Sequence, residues 1–335
     1  MKVRLRARLI PALLAPLILP SCHSGDPIGT PPPLPQWTTV ASGSLDYLNA
    51  VWGSSASDAW SVGGLSNAGV IIHYNGTNWT TSWSSTTLGT AWFLGGVWGT
   101  SASDVWVVGA TGGAGGILHY DGTSWSIVPS GSPQTLYNVW GTSTSDVWAV
   151  GGTTAVGGPG GMILHFDGTA WSTAMSGPTG IALFGVWGSS ASDVWAVGTG
   201  GAIFHYTGTI WASVPSGTTD DISGIWGTSA SDVWAVGGST AVSGAGGIIL
   251  HYNGTAWSPV TSGTVRDLYA VWGASTSDVW AMGSYGTIIH FDGTSWSTGT
   301  SSGTTLFLGG VWGSSATDVW TVGGSGTILH GPPTG

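Results

Sequence analysis

Seven histidines recur along the chain, at His73, His119, His165, His205, His251, His290 and His330. Each follows an aspartate, at Asp58, Asp104, Asp146, Asp193, Asp232, Asp278 and Asp318. Imidazole and carboxylate are the groups of metal sites and of acid–base pairs, so metal binding and proton transfer are the chemistries to weigh first. A metal ion needs three or four ligands converging on one point. Here the supply is one His and one Asp per repeat. The Asp opens one apolar segment and the His closes the next, so each pair is expected to meet once per repeat as a structural hydrogen bond. No metal and no cofactor are expected.

Two other patterns could suggest chemistry. Gly299-Thr300-Ser301-Ser302-Gly303 spells a nucleophile elbow, but that motif requires a strand, a sharp turn and a helix. A chain with 59 Gly and abundant Ser produces the string by chance. The Gly-rich stretches at 109–116 and 157–161 lie between apolar segments and not before a helix, so they do not read as phosphate cradles.

The elements that must position these residues come from repetition. A unit near forty residues long reads Val-Trp-Gly, then Ser-x-Asp-Val-Trp-x-Val-Gly, then Ile-x-His-Tyr-Asp-Gly-Thr-x-Trp, a period at which propellers are tested first. Its first Trp falls at Trp52, Trp98, Trp140, Trp187, Trp226, Trp272 and Trp312, and a second Trp always lies eight residues on, from Trp60 to Trp320. Short segments rich in Val, Ile, Trp and Tyr, bounded by Gly, Ser or Asp-Gly, read as strands, four per unit. The middle two are apolar at both parities, so both faces of each small sheet must be covered. Radial stacking of twisted four-stranded blades does this and leaves only short edges. The fold class is therefore all-β, a seven-bladed β-propeller.

A third Trp per unit appears at Trp79, Trp125, Trp171, Trp211, Trp257 and Trp296, while the seventh unit stops at His330 without one. Its counterpart stands at the N-terminus: Trp37 precedes Trp52 by fifteen residues, the interval that also separates Trp125 from Trp140. The strand at Trp37 is expected to complete the last blade and lock the ring. Asn75-Gly76, Asp121-Gly122, Asp167-Gly168, Asn253-Gly254 and Asp292-Gly293 read as two-residue hairpin turns with positive φ; Thr207-Gly208 takes this place in the fourth unit, where a strained turn is expected.

Residues 1–22 read as an export signal, with Lys2, Arg4, Arg6 and Arg8 ahead of a short apolar stretch from Leu9 to Leu19. Residues 23–35 form a Pro-rich tether, 36–331 the propeller and 332–335 a tail. After the signal only Arg266 is cationic, against fifteen Asp and no Glu, which leaves a net charge of −14. Such a body repels nucleic acid and anionic headgroups.

Leu19-Pro20-Ser21-Cys22 resembles the lipobox of bacterial lipoproteins. The resemblance implies cleavage before Cys22, a lipid on that residue as the only membrane contact, and, without Asp after it, sorting to the outer membrane or cell surface. The segments Val-Trp-Ala-Val-Gly-Gly and His-Phe/Tyr-Asp-Gly-Thr-x-Trp resemble the kelch repeat over 36–330, with the double Gly intact at 63–64, 151–152, 237–238 and 323–324. Asp-Gly-Thr-x-Trp is also similar to the Asp-box turn of sialidase-like and photosystem-assembly propellers. A sialidase mechanism would want an arginine cluster, a Tyr nucleophile and a Glu, whereas the chain after the signal has one Arg and no Glu, and a galactose-oxidase-like copper centre would want a cysteine within the propeller. The chain is accordingly expected to bind, not to catalyse, and to act as a monomer.

Repeat length varies only in the connections from the second strand to the third and from the fourth strand to the next repeat. In an up-and-down blade both emerge on one face, and loops that vary on a fixed scaffold carry recognition. Residues there that break the repeat are the ligand-binding candidates: Trp83, Trp92, Asp220, Asp221, Arg266, Asp267 and Tyr285. A protein partner is the first expectation and a polysaccharide, held lectin-fashion by aromatics and Asp, the alternative.

Overall fold

Short apolar strands closed by Gly-rich turns build seven four-stranded antiparallel sheets in the computed structural model. It describes residues 37–65, 68–153, 155, 158–238, 246–298 and 302–332. The signal, Cys22 and the Pro-rich tether lie outside the described residues, as do 299–301 of the elbow-like string and 333–335 of the tail. Strands are lettered a to d within each blade. Blade 1 runs a (Leu48–Ser55), b (Asp58–Leu65), c (Ala68–Tyr74) and d (Trp79–Ser84). Consecutive a strands touch one another around the ring, so they form the innermost layer.

Blade 7 takes a, b and c from Leu308–Ser315, Asp318–Gly323 and Ile328–Gly331, and its d strand from Thr38–Val40. The register is antiparallel, with Thr38 opposite His330 and Val40 opposite Ile328. The ring is thus closed by hydrogen bonding between the two ends of the propeller.

Two aromatic joints repeat between blades. The strand-b Trp lies edge-on to the d-strand Trp of the next blade: Trp60 on Trp125, Trp106 on Trp171 and Trp320 on Trp79, with centroids 5.5 to 5.6 Å apart. At the seventh joint Trp280 meets Trp37 in the same way, at 5.5 Å and 83°. Nearer the axis each strand-a Trp covers a glycine of the following blade. A Cβ built on Gly99 would stand 2.8 Å from the Trp52 ring, and one on Gly53 would stand 2.6 Å from Trp312. The Gly of Val-Trp-Gly is therefore required by its neighbour's indole. Each interface adds a cluster of buried Val, Ile and Leu, such as Leu48, Val51, Val70, Ile72 and Ile328 between blades 7 and 1.

The c–d turns differ from the expected two-residue hairpin. Tyr74 pairs with Trp79, so four residues span the gap. Asn75 Oδ1 accepts from the N–H groups of Thr77 and Asn78 at 3.1 and 3.0 Å, and Asp121 and Asp167 do the same in their turns. That side-chain acceptor stabilises an Asx turn in which only the Gly is left-handed, with φ 90° at Gly76. Gly208 shares that φ of 90°, so blade 4 makes the same backbone turn with Thr207 at its head.

Candidate functional site at the variable-loop mouth of the ring

The two ends of the ring differ in chemistry. On the first, a–b and c–d turns lie side by side: a Cβ on Gly122 would meet Ser103 at 2.8 Å, and one on Gly254 would meet Ser231 at 2.8 Å. The His–Asp pairs open on this end. Every His Nε2 stands 2.6 to 2.7 Å from its Asp Oδ1, from His73–Asp58 through His119–Asp104, His165–Asp146, His205–Asp193, His251–Asp232 and His290–Asp278 to His330–Asp318. The imidazoles stack on the strand-b Trp of their own blade at 3.7 to 4.1 Å. In six blades the second carboxylate oxygen accepts from a Ser or Thr hydroxyl four residues earlier, as with Ser54 and Thr100. Blade 6 has Ala274 at that position. Each pair is thus held within its own blade and ties strand b to strand c. Among the described residues no three His, Cys, Asp or Glu come together as a metal site would require.

Turn aspartates on the same end are held ionised. The Thr169 hydroxyl and the N–H groups of Ala170 and Thr169 pull Asp167 down to about 2. The N–H groups of Ser124 and Thr123 lower Asp121, and those of Ser295 and Thr294 lower Asp292.

The other end carries the variable connections. The b–c segments are a hairpin in blade 2 around Gly112-Gly113 and short 3-10 turns in blades 4, 6 and 7, at Thr199–Gly201, Ser284–Gly286 and Gly324–Gly326. These turns abut the d–a loops, since a Cβ on Gly286 would lie 2.0 Å from the Thr304 carbonyl and one on Gly326 1.9 Å from that of Ser44.

The sequence candidates divide on this end. Trp92 is 2% exposed, wedged beside Gly69 and Gly116, and Trp83 is half-buried edge-on to it at 5.8 Å. Both pack between blades 1 and 2, where Trp92 is enclosed and Trp83 stays half-buried beside it. Asp220 is engaged locally with Thr218. Asp221 Oδ1 accepts from the Gly200 N–H at 2.8 Å, joining blade 5 to the b–c turn of blade 4. Arg266, Asp267 and Tyr285 do come together. The Arg266 guanidinium lies 4.2 Å over the Tyr285 ring, and the Ser284 N–H donates to the Asp267 carbonyl at 2.9 Å. Tyr285 is 65% exposed at φ 55°, a left-handed conformation that Gly200 fills in blade 4.

Sequence reasoning missed the rest of this mouth. Strand a begins here in every blade, and the residue before its buried Leu or Ile reads, around the ring, Tyr47, Phe93, Thr135, Ala182, Asp221, Asp267 and Phe307; the equivalence is geometric, each carbonyl lying against a strand-b glycine. With Tyr137, Phe184 and Tyr269 just inside, the rings form an arc: Tyr47–Phe307 at 5.5 Å, Phe93–Tyr137 at 6.1 Å and Tyr137–Phe184 at 5.3 Å. Burial raises the Tyr137 phenol, and burial with the Asp267 charge raises Tyr269. A cavity of about 480 Å³ opens against Phe93, Thr135 and Tyr137. Exposed apolar side chains flank the arc on adjoining blades: Leu45 (84%), Val265 (81%) and Leu306 (39%). Reading the repeat in columns would have shown this position varying from aromatic (Tyr47, Phe93, Phe307) through Thr135 and Ala182 to acidic (Asp221, Asp267) where the scaffold is otherwise uniform.

Known structures share the ring. The chain resembles YCF48 bound to a D1 peptide, at 15% identity and TM-score 0.66 over 88% of this chain and 96% of that one. It also resembles the WD40 propeller domain of Doa1, at 10% and 0.65 over 88% and 96%. A third likeness is to virginiamycin B lyase from Staphylococcus aureus, at 14% and 0.69 over 88% and 98%. No protein-family model matches the chain, and no curated protein matches it. The chain shares the fold of seven-bladed propellers. At these identities the likeness is one of fold, and it corrects one expectation: the sequence reading that the chain is not an enzyme is overturned, because a lyase is built on the same ring over the same share of the chain.

Proposed function

We propose that this propeller is a binding and scaffold module that recognises a protein partner through its variable-loop mouth. The observation that carries the reading is the exposed apolar surface there. Of the seven large apolar side chains exposed among the described residues, five (Leu45, Tyr47, Val265, Tyr285 and Leu306) lie on this end, on blades 6, 7 and 1 and the loops entering them. Exposed apolar side chains gathered on one end of a scaffold that is otherwise polar outside mark an interaction site. The fold neighbours solved with a D1 peptide and as a WD40 domain support the same use of the ring. In this reading the chain is a kelch-like, Asp-box-like bacterial lipoprotein, anchored through Cys22 at the outer membrane or cell surface, and it works as a monomer.

The test replaces Leu45 and Leu306 together by Ser in the full chain. A partner that copurifies with the unaltered chain should be lost, whereas Ile127→Ser on an outer strand should keep it. Retention by the Leu45/Leu306 variant would refute the reading.

One observation favours polysaccharide as the second reading. Equivalent clefts recur beside the Ser-Gly-Thr/Ser segments at 216–218, 262–264 and 42–44 in blades 4, 5 and 7, with volumes of about 940, 470 and 470 Å³. A glycan array probed with the chain would show saturable binding at several sites per molecule.

A further inference from the structure

The mouth is two-sided. At one strand-a position the ring presents aromatic residues on blades 7, 1 and 2 (Phe307, Tyr47 and Phe93) and carboxylates on the adjacent blades 5 and 6 (Asp221 and Asp267). Tyr137 and Phe184 continue the aromatic side into blades 3 and 4. Four Asp residues belong to this end, Asp46, Asp220, Asp221 and Asp267, against the single guanidinium of Arg266. Arg266 makes no ion pair among the described residues and rests on Tyr285.

Resting on the protein-partner reading, we infer that the mouth takes a peptide segment in which Lys or Arg alternates with apolar side chains. Charge complementarity chooses this occupant. The described body carries fourteen Asp and one Arg, so it attracts cationic segments and repels acidic ones before contact. Inside the mouth, an ammonium or guanidinium gains from the ring faces of Tyr47, Tyr137 and Phe184 and from the carboxylates opposite. The apolar side chains of the segment would cover Leu45, Leu306 and Val265. Arg266 bounds the acidic side and sets the register by repelling a cation placed beside Tyr285.

The experiment uses capped hexapeptides alternating Lys, Glu or Gln with Leu, titrated against the full chain by calorimetry. The Lys peptide is expected to bind saturably, more weakly as salt rises, and at least about tenfold more tightly than the Gln peptide. Asp221→Asn with Asp267→Asn should weaken it about tenfold. The amide keeps the acceptor that Gly200 N–H uses, so folding is preserved. Tyr137→Ala with Phe184→Ala should weaken it as well, while Asp121→Asn with Asp292→Asn, on the opposite end, should not. Equal binding of the Gln or Glu peptide, no binding of the Lys peptide, or loss caused only by the Asp121/Asp292 pair would overturn the inference. If the Leu45/Leu306 variant still loses its copurifying partner in those cases, the protein-partner reading survives and only the cationic occupant fails.

Discussion

Replacing Trp37 by Ala tests whether the N-terminal strand holds the ring shut. Trp37 is 4% exposed, edge-on to Trp280, and packed with Met282, Ile288, Leu308, Val319 and Leu329. A buried Trp hides roughly 150 to 250 Å², which at about 25 cal/mol per Å² is about 4 to 6 kcal/mol. Large-to-small core changes of this type cost about 3 to 5 kcal/mol, so a loss near 4 kcal/mol is expected. That is a large share of the roughly 5 to 15 kcal/mol by which domains are stable. Urea unfolding of the full chain, followed by Trp fluorescence, reads the change. Trp171→Ala, the equivalent residue at the blade 2–3 joint, should cost a similar amount, because Trp106 meets it at the same 5.5 Å. Deleting residues 36–43 should cost more, since the ladder from Thr38–His330 to Val40–Ile328 goes too. A Trp37→Ala midpoint unchanged while Trp171→Ala lowers it would refute closure by this strand.

Four further outcomes follow from local geometry. Gly99→Ala drives a methyl into the Trp52 ring and should cost about 1 to 3 kcal/mol in denaturant unfolding, while Gly131→Ala, with nothing within 4 Å, should cost only its positive-φ strain. Ala274→Ser restores the missing hydroxyl to Asp278 and should add about 0.5 to 1 kcal/mol by the same assay. Asp167 is lowered to about 2, so its stabilising contribution is complete above the unfolded carboxyl value near 3.9 and is lost as pH falls through 2; carboxyl-carbon NMR titration should show it, and Asp121→Asn, Asp167→Asn and Asp292→Asn together should flatten acid unfolding in that window. Tyr285→Gly relieves a left-handed side chain and should raise stability by about 1 kcal/mol while weakening partner retention.

The ring was legible in the sequence because its period is also its physical unit. Invariant eight-residue Trp spacing places Trp52 opposite Trp60 and Trp98 opposite Trp106 in antiparallel register. The same register carries His73 to the end of strand c where Asp58 opens strand b. Trp37 could be assigned because its spacing to Trp52 repeats that of Trp125 to Trp140. The turns were misread because Asn75 and its counterparts were credited with backbone freedom, when their side-chain oxygens do the stabilising. Trp92 and Trp83 broke the repeat and so looked functional, yet Gly69 and Gly116 make room for Trp92, and Trp83 packs edge-on against it. The aromatic arc escaped notice because Tyr47, Phe93, Tyr137, Phe184 and Phe307 sit singly in five repeats, and only closure of the ring sets them side by side. Exclusion of catalysis failed for a different reason: the absence of familiar motifs says little on a scaffold that lyases also use.

Site-specific photo-crosslinking in intact cells tests the central claim most directly. With the reactive group at Leu45, Tyr285 or Leu306, discrete protein adducts are expected, and at Ser103, Thr123 or Thr294 on the opposite end none. Adducts arising from the His–Asp end and not from the variable-loop mouth would contradict the account.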